Sequence, residues 1–470
     1  MKKILYYLLP VFLVCFILIS FKNYSKKENE NKPNIIFIAV DDLRPQLNCY
    51  GQSQIISPNI DSLASQSFLY ENAVCNFPVC GASRASVLTG LRPNPNRFKG
   101  YDTRIDVDAN DVPTIGEWYK ENGYYTLCLG KISHHKNDSP ESWSVPAWRA
   151  DKNWRDYQTL ENIKIAEENN GVANAFEKGE NIKDLYADTK MVSKAINELN
   201  ILNQSHQPFF LAIGFLKPHL PFNAPKEFWD MYDKKDIQLA SNRYQPKNSP
   251  KISMHNYGEL RYYTNIPNDR TLDIPDSTQI KLIHGYYACV SYIDYEIGRL
   301  INHLKKLKIY DNSIIVLWGD HGWQLGEHNL WAKHCNYQTS LKVPLLIKYN
   351  NQKTQHKINS VVELLDLYPT LCDLSYIQKP KHLQGKSLTS INEENPVNLN
   401  GFSNYHNGFT LTNNDYSYTV WKNKEGKIKA EMMYDLNLDS DENNNISNEI
   451  VNSSKKLNYI SFLDSIKLID

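Results

Sequence analysis

Asn34-Ile35-Ile36-Phe37-Ile38-Ala39-Val40, closed by Asp41-Asp42, is a continuous apolar, β-branched run without alternation. A strand with one wet face alternates apolar and polar residues. A strand covered on both faces has no reason to, so this run predicts a central strand of a parallel sheet. Ser313-Ile314-Ile315-Val316-Leu317-Trp318-Gly319, ending in Asp320-His321, reads the same way. Tyr125–Leu129, followed by Gly130-Lys131, and Phe209–Phe215, followed closely by Lys217-Pro218-His219, make four such strands. Helix-like segments lie between them at Ile60–Gln66, Thr114–Glu121, Leu185–Leu202 and Leu282–Leu307. This alternation predicts an α/β fold, a large mostly parallel sheet sandwiched by helices. Ligands of open α/β sheets bind beyond the carboxyl ends of the strands. Asp41, Asp42, Lys131, His134, Lys217, His219, Asp320 and His321 are therefore expected to converge on one crevice.

Between the first two strand ends lies Cys75–Pro93, CNFPVCGASRASVLTGLRP. It reads as a loop entering a helix whose first turn presents Cys80, with Gly90 as the stop and Pro93 beyond it. A helix N-terminus offers unpaired N–H groups and partial positive charge, which suits an anion-binding nucleophile. Taken alone, a buried Cys beside a solvated Arg84 explains these residues as well.

The rest of the chain sets the frame. Lys+Arg and Asp+Glu each total 52, so nothing implies a nucleic-acid-binding surface, and affinity for an anion has to be local. Residues 1–21 carry Lys2-Lys3 and an apolar run, the pattern of a signal peptide or an uncleaved membrane anchor. Cys15 follows Val14, which is larger than the residue that usually precedes a lipidated cysteine. Residues 22–33 form a polar linker. The catalytic α/β unit is expected over 34–380, and a small C-terminal α+β subdomain over 381–470 from the strand-like Tyr416–Lys422 and Ile428–Leu436. Val361–Leu374 has the spacing of an amphipathic helix. The 140–180 and 230–280 stretches read as long surface insertions of the kind that carry substrate contacts. The scattered cysteines lack metal-finger spacing, and most are expected to be small buried hydrophobes.

Asp41, Asp42 and Asp320 at two strand ends, with an oxygen of a modified Cys80, would make a hard site for Ca²⁺ or Mg²⁺. His321 would ligate or sit beside it. Arg84, Lys131, Lys217 and Lys333 are cations placed to hold a sulfate or phosphate ester, Arg84 being the fork-shaped donor. Singly, each Asp is as well explained as a turn residue and each Lys as a surface charge.

Cys80-Gly81-Ala82-Ser83-Arg84 with its trailing Leu88-Thr89-Gly90 resembles the signature of the sulfatase family, of the alkaline-phosphatase superfamily. The resemblance to the iduronate-2-sulfatase branch extends over Phe37–Gly51, Ser57–Asn72, Gly130–His134, Lys217–Phe222, Gly319–Lys333 and Tyr418–Trp421. It implies that Cys80 is oxidised to formylglycine by a formylglycine-generating or anaerobic sulfatase-maturating enzyme. Asp41, Asp42, Asp320 and His321 would hold Ca²⁺ with residue 80. Arg84 and Lys131 would steady the formylglycine hydrate with His134 beside it; Lys217 and Lys333 would bind substrate, and His219 would protonate the leaving alcohol. One hydroxyl of the hydrate would attack sulfur and the second would let sulfate leave. The chain departs from the pattern in two places. Ala82 stands where the family usually has Pro, and Leu411 stands near where the branch often has Arg, which argues against iduronate itself. Three functions follow: a sulfatase acting on a sulfated oligosaccharide, a phosphodiester or phosphonate-ester hydrolase on the same site, or a glycan-binding protein if Cys80 stays unmodified. The leader implies export to the periplasm, cell surface or medium, with membrane attachment through the N-terminus if it is retained.

Overall fold

The computed structural model describes residues 32–465 apart from 152–153, 181–185, 206, 350–351, 392–399, 424 and 450–452. The leader and most of the polar linker lie outside the described residues. No described helix is long and apolar enough to cross a membrane.

The expected strands form with nearly the expected bounds. Ser313–Gly319, Asn34–Val40, Phe209–Phe215 and Tyr125–Gly130 lie side by side, all parallel, in an eight-stranded sheet that ends at Tyr125–Gly130. Beyond Ser313–Gly319 the sheet continues with Leu345–Lys348, Phe68–Val74 and Lys342–Val343 in antiparallel pairings, and His356–Glu363 pairs with Phe68–Val74 in parallel. The first run explains its own composition. Ile36, Ile38 and Val40 pack into one apolar core, while Ile35, Phe37 and Ala39 pack into another on the opposite face. Both faces are dry, so neither set can be polar.

On one face the 31-residue helix Asp276–Lys306 packs against Ala187–Ser205 and Pro58–Ala64. On the other lie Cys80–Thr89, Ile115–Glu121 and Leu367–Leu374. Val361–Leu374 corrects the helix expected there. Its first residues complete the strand His356–Glu363, a 3₁₀ turn follows, and only Leu367–Leu374 is α-helical. Val361 and Val362 face a free strand edge at Asn72 and Ala73, and this tertiary pairing outweighs the local helical spacing.

The tail forms a four-stranded antiparallel sheet, Gly401–Tyr405, Gly408–Thr412, Tyr416–Lys422 and Ile428–Asp435, followed by the helix Ser453–Ser465. Leu411 is buried in its core with Phe402, Tyr418 and Met433. Buried side chains weld this sheet to the larger one. Asn336 Nδ2 donates to Gly408 O at 3.1 Å, and Gln338 Nε2 to Thr412 Oγ1 at 2.8 Å.

The register puts the chemistry at one edge. Val40 pairs with Phe215 and with Gly319, and Gly130 pairs with Gly214. The next residues of each strand, Asp41, Leu216, Asp320 and Lys131, therefore leave the sheet together.

Candidate active site

Asp41 and Asp320 leave adjacent strands, and the Arg84 guanidinium lies between them. Arg84 Nε donates to Asp320 Oδ2 at 2.8 Å and Nη2 to Asp41 Oδ1 at 3.2 Å, while Nη1 donates to the Lys131 and Ile132 carbonyls. Arg84 is fully buried, which is tolerable only because its charge is paired twice. The solvated Arg is therefore ruled out. Gly90, in the left-handed region at φ 70°, ends the helix that carries Arg84.

Lys131 Nζ donates to Asp41 Oδ2 at 2.5 Å. Burial alone would raise the Asp41 pKa, but Lys131 and Arg84 outweigh it and hold the carboxyl well below its usual range. Asp42 is placed differently. Its backbone N–H donates to Asp320 Oδ1 at 3.0 Å, and its Oδ1 accepts from Lys333 Nζ at 2.9 Å. Burial and the carboxylates of Asp41, Glu259 and Asp320 push the Asp42 carboxyl well up, against the pull of Lys333. Its Oδ2 is buried and has no hydrogen-bond partner among the described residues, and neither has His321 Nε2.

These orphaned atoms lie in a metal-shaped arrangement. Ligand atoms of Asp41, Cys80, Asp320 and His321 all fall within 4.8 Å of one another, as do those of Asp41, Asp42 and His219. His321 Nδ1 is engaged with Gly322 O at 3.0 Å, which leaves Nε2 facing the carboxylates, 3.4 Å from Asp42 Oδ1. Crowded carboxylates with unused lone pairs are what a divalent cation satisfies, and the residues fit one.

Cys80 opens its helix, as expected, with Sγ 3.3 Å from His134 Nδ1. Both line a cavity of about 1170 Å³ together with Lys131, His219, Glu259 and Lys333. Burial and the neighbouring Lys131 lower the His134 pKa to about 3. His219 Nδ1 lies 2.6 Å from the Leu220 carbonyl, which can only accept, so Nδ1 carries the proton and Nε2 faces the cavity. Burial and Lys333 lower its pKa to about 3 as well.

Lys217 behaves otherwise. Its ammonium is buried and donates to the carbonyls of Pro221 at 2.7 Å, His219 at 3.1 Å and Trp154 at 3.4 Å. It does not line the cavity, and its work here is to tie the His219 loop to the Trp154 loop. Among the described cysteines none forms a disulfide, and all but Cys49 are buried.

Sequence reasoning passed over Glu259. It sits in the four-residue helix Gly258–Arg261, inside the aperiodic 230–280 insertion. Its Oε1 lies 3.2 Å from Lys333 Nζ and 3.5 Å from His219 Nε2. Burial works against the charge, but Lys333, His334 and His219 together lower its pKa to about 2. The insertion is anchored by Arg261, whose Nη1 donates to Pro267 O at 2.5 Å and Asp269 O at 2.7 Å. Nothing in the local sequence marks Glu259 beyond a charge among aromatics.

Two buried lysines, a histidine and a helix-start cysteine line one cavity, and the cysteine borders a carboxylate cluster able to hold a cation. On a parallel α/β sheet, that combination defines a hydrolase of anionic esters. The sulfatase family profile matches residues 33–377, and that of the N-sulphoglucosamine sulphohydrolase C-terminal region matches 326–459. Iduronate 2-sulfatase of Mus musculus is 31% identical over 83% of this chain and 84% of its own. A solved protein in complex with its substrate D-glucosamine-2-N,6-O-disulfate superposes with a TM-score of 0.75 at 21% identity, covering 93% of this chain and 97% of that one. The phosphonate monoester hydrolase of Agrobacterium radiobacter gives 0.73 at 18% identity, over 93% and 95%. At those identities the two solved structures show the fold alone. The chain belongs to the sulfatase family and is a sulfuric ester hydrolase.

Proposed function

We propose that the protein is an exported sulfatase that removes a sulfate ester from a glycan or glycosaminoglycan fragment, best a 2-O-sulfated or similarly placed ester on an acidic sugar. The observation that carries the reading is that Cys80, Lys131, Lys333 and His219 line one cavity, and that the carboxylates of Asp41 and Asp320 lie within 4.8 Å of the Cys80 sulfur. The similarity to iduronate 2-sulfatase supports the acidic sugar, and the apolar leader at residues 1–21 supports export.

Asp41, Asp42, Asp320 and His321, with an oxygen at residue 80, would hold Ca²⁺, which supplies positive charge against the sulfate oxygens, while Cys80 matured to formylglycine supplies the nucleophilic hydroxyl. The chain's own residues do the remainder. Arg84 commits its guanidinium to Asp41, Asp320 and the 131–132 carbonyls, so it fixes the carboxylates at the angle the site needs. Lys131 and Lys333 line the cavity and, beyond the carboxylates they already bond, donate to sulfate oxygens as charge builds there. His219 gives its proton to the departing sugar oxygen from Nε2. Because Nδ1 is already protonated, Nε2 carries a proton only when the ring is cationic. Glu259 at 3.5 Å supports that cation, and the arriving sulfate screens the Lys333 charge that opposes it.

The test is parallel turnover by protein co-expressed with a maturating enzyme, on sulfate monoesters, phosphate diesters and size-defined sulfated oligosaccharides. The mass of the Cys80 peptide is read on the same sample. Sulfate release should track the converted fraction. Full activity of the unmodified thiol, or faster release from the diester, refutes the reading.

A further inference from the structure

Large aromatic rings are costly to leave in water, so where they stay exposed and grouped they point to a ligand. Of the tryptophans in the first insertion, Trp143 is a core residue and Trp148 packs partly buried against the core. Trp154 is 43% exposed, Tyr262 is 61% exposed, and both line the catalytic cavity. Between them in the contact chain is Arg155, whose guanidinium carbon lies 4.4 Å from the Trp154 ring centroid and 5.7 Å from that of Tyr262. Tyr101, 68% exposed, adds a third aromatic ring to the same cavity from another segment.

We propose that Trp154, Arg155 and Tyr262 form a second carbohydrate subsite, which holds the sugar joined to the sulfated residue and favours an acidic one. This rests on the sulfatase reading and deepens it. Three observations carry it. The cavity, at about 1170 Å³, exceeds the ~300–1,000 Å³ that suits a single drug-sized ligand, so it has room beyond one sugar. The rings offer flat apolar faces to the C–H faces of a pyranose, and the stacked guanidinium adds a cationic charge for a carboxylate or a further sulfate. The subsite is also tied to the chemistry, since the Lys217 ammonium that donates to Trp154 O donates to His219 O as well. The platform and the proton donor are thus held by one side chain.

The experiment compares kcat/KM on a sulfated tetrasaccharide of uronic acid and hexosamine with kcat/KM on an aryl sulfate, for wild type, W154A, Y262A and W154F. The tetrasaccharide-to-aryl ratio should fall about three- to tenfold in W154A and Y262A and recover largely in W154F, the range a stacking contact supports. In parallel, calorimetry with the same tetrasaccharide lacking its sulfate reads the platform without turnover, and its Kd should rise in W154A by a similar factor. A ratio and a Kd unchanged in the W154A/Y262A double variant, at wild-type melting temperature, overturn the subsite. Wild-type protein that binds the desulfated sugar but releases sulfate from no ester would refute the sulfatase reading and leave the subsite standing.

Discussion

Replacing Arg84 with Ala should cost the fold before it costs the chemistry. The guanidinium is fully buried and lies 2.8 Å from Asp320 Oδ2 and 3.2 Å from Asp41 Oδ1, both carboxylates being buried as well. Removing one partner of a buried pair costs about 3–5 kcal/mol, because the other charge is left uncompensated. Here one residue serves two carboxylates, but Asp41 keeps Lys131 at 2.5 Å, so only Asp320 loses its sole cationic side-chain partner among the described residues. The two costs therefore do not add, and ~4 kcal/mol is expected, nearly a thousandfold in the folding equilibrium. The Lys131 and Ile132 carbonyls also lose their donor, which works in the same direction. Arg84→Lys should fall between, since one ammonium cannot span both carboxylates and both carbonyls. Equilibrium urea unfolding followed by tryptophan fluorescence measures the shift, with the slope checked for constancy. An Arg84→Ala protein unfolding at the wild-type urea concentration with the wild-type slope would refute the role given to this arginine.

Three further outcomes are expected. Glu259→Gln should lower kcat on a sulfate ester about tenfold or more, the worth of a hydrogen bond to a charged group, with a smaller change in KM; an unchanged kcat would remove Glu259 from support of His219. Asp320→Asn should weaken divalent-cation binding in calorimetry and lower turnover by ~10²-fold or more, and chelation of wild type should abolish turnover reversibly; retained cation affinity in the variant would break the proposed ligand set. Gly214→Ala should destabilise the fold strongly, because the new Cβ would fall 2.0 Å from the Lys131 backbone oxygen, and a soluble variant with wild-type melting would contradict the register of these strands.

The strands were legible because burial on both faces writes itself into composition. Asn34–Val40 and Ser313–Gly319 can be nothing polar, and their ends follow directly. Asp41, Asp42, Asp320 and His321 were found by that route, from strand ends and not from any local metal motif. What stayed hidden was set by long-range packing. Val361 and Val362 carry helical spacing yet pair with Asn72 and Ala73, and no local pattern announces a vacant strand edge. Glu259 and Tyr262 lie on an aperiodic insertion that Arg261 folds back on itself, and the loop that carries Trp154 is held by the distant Lys217. Lys217 shows the converse limit. Its position at a strand end was right for a substrate contact, but only the fold reveals that its donors face carbonyl oxygens.

The balance of charge bears on which ester the site accepts. Asp41, Asp42, Asp320 and Glu259 face Arg84, Lys131 and Lys333, while burial keeps His134 and His219 neutral in the site before an ester enters it. With Asp42 ionised against the proposed Ca²⁺, four carboxylates, three cations and the ion leave one positive charge. A sulfate monoester carries a single negative charge at every working pH and neutralises the site. A phosphate monoester carries two above its second ionisation near pH ~6, and brings an uncompensated charge into a low-dielectric pocket. The kcat/KM ratio of an aryl sulfate to the matching aryl phosphate should therefore rise as pH climbs from about 5 to about 8. Taking the ratio cancels the enzyme's own titrations, since both esters meet the same groups. A ratio that stays flat or falls over that range would mean that the site does not discriminate by charge, and that the carboxylate and lysine count misdescribes it.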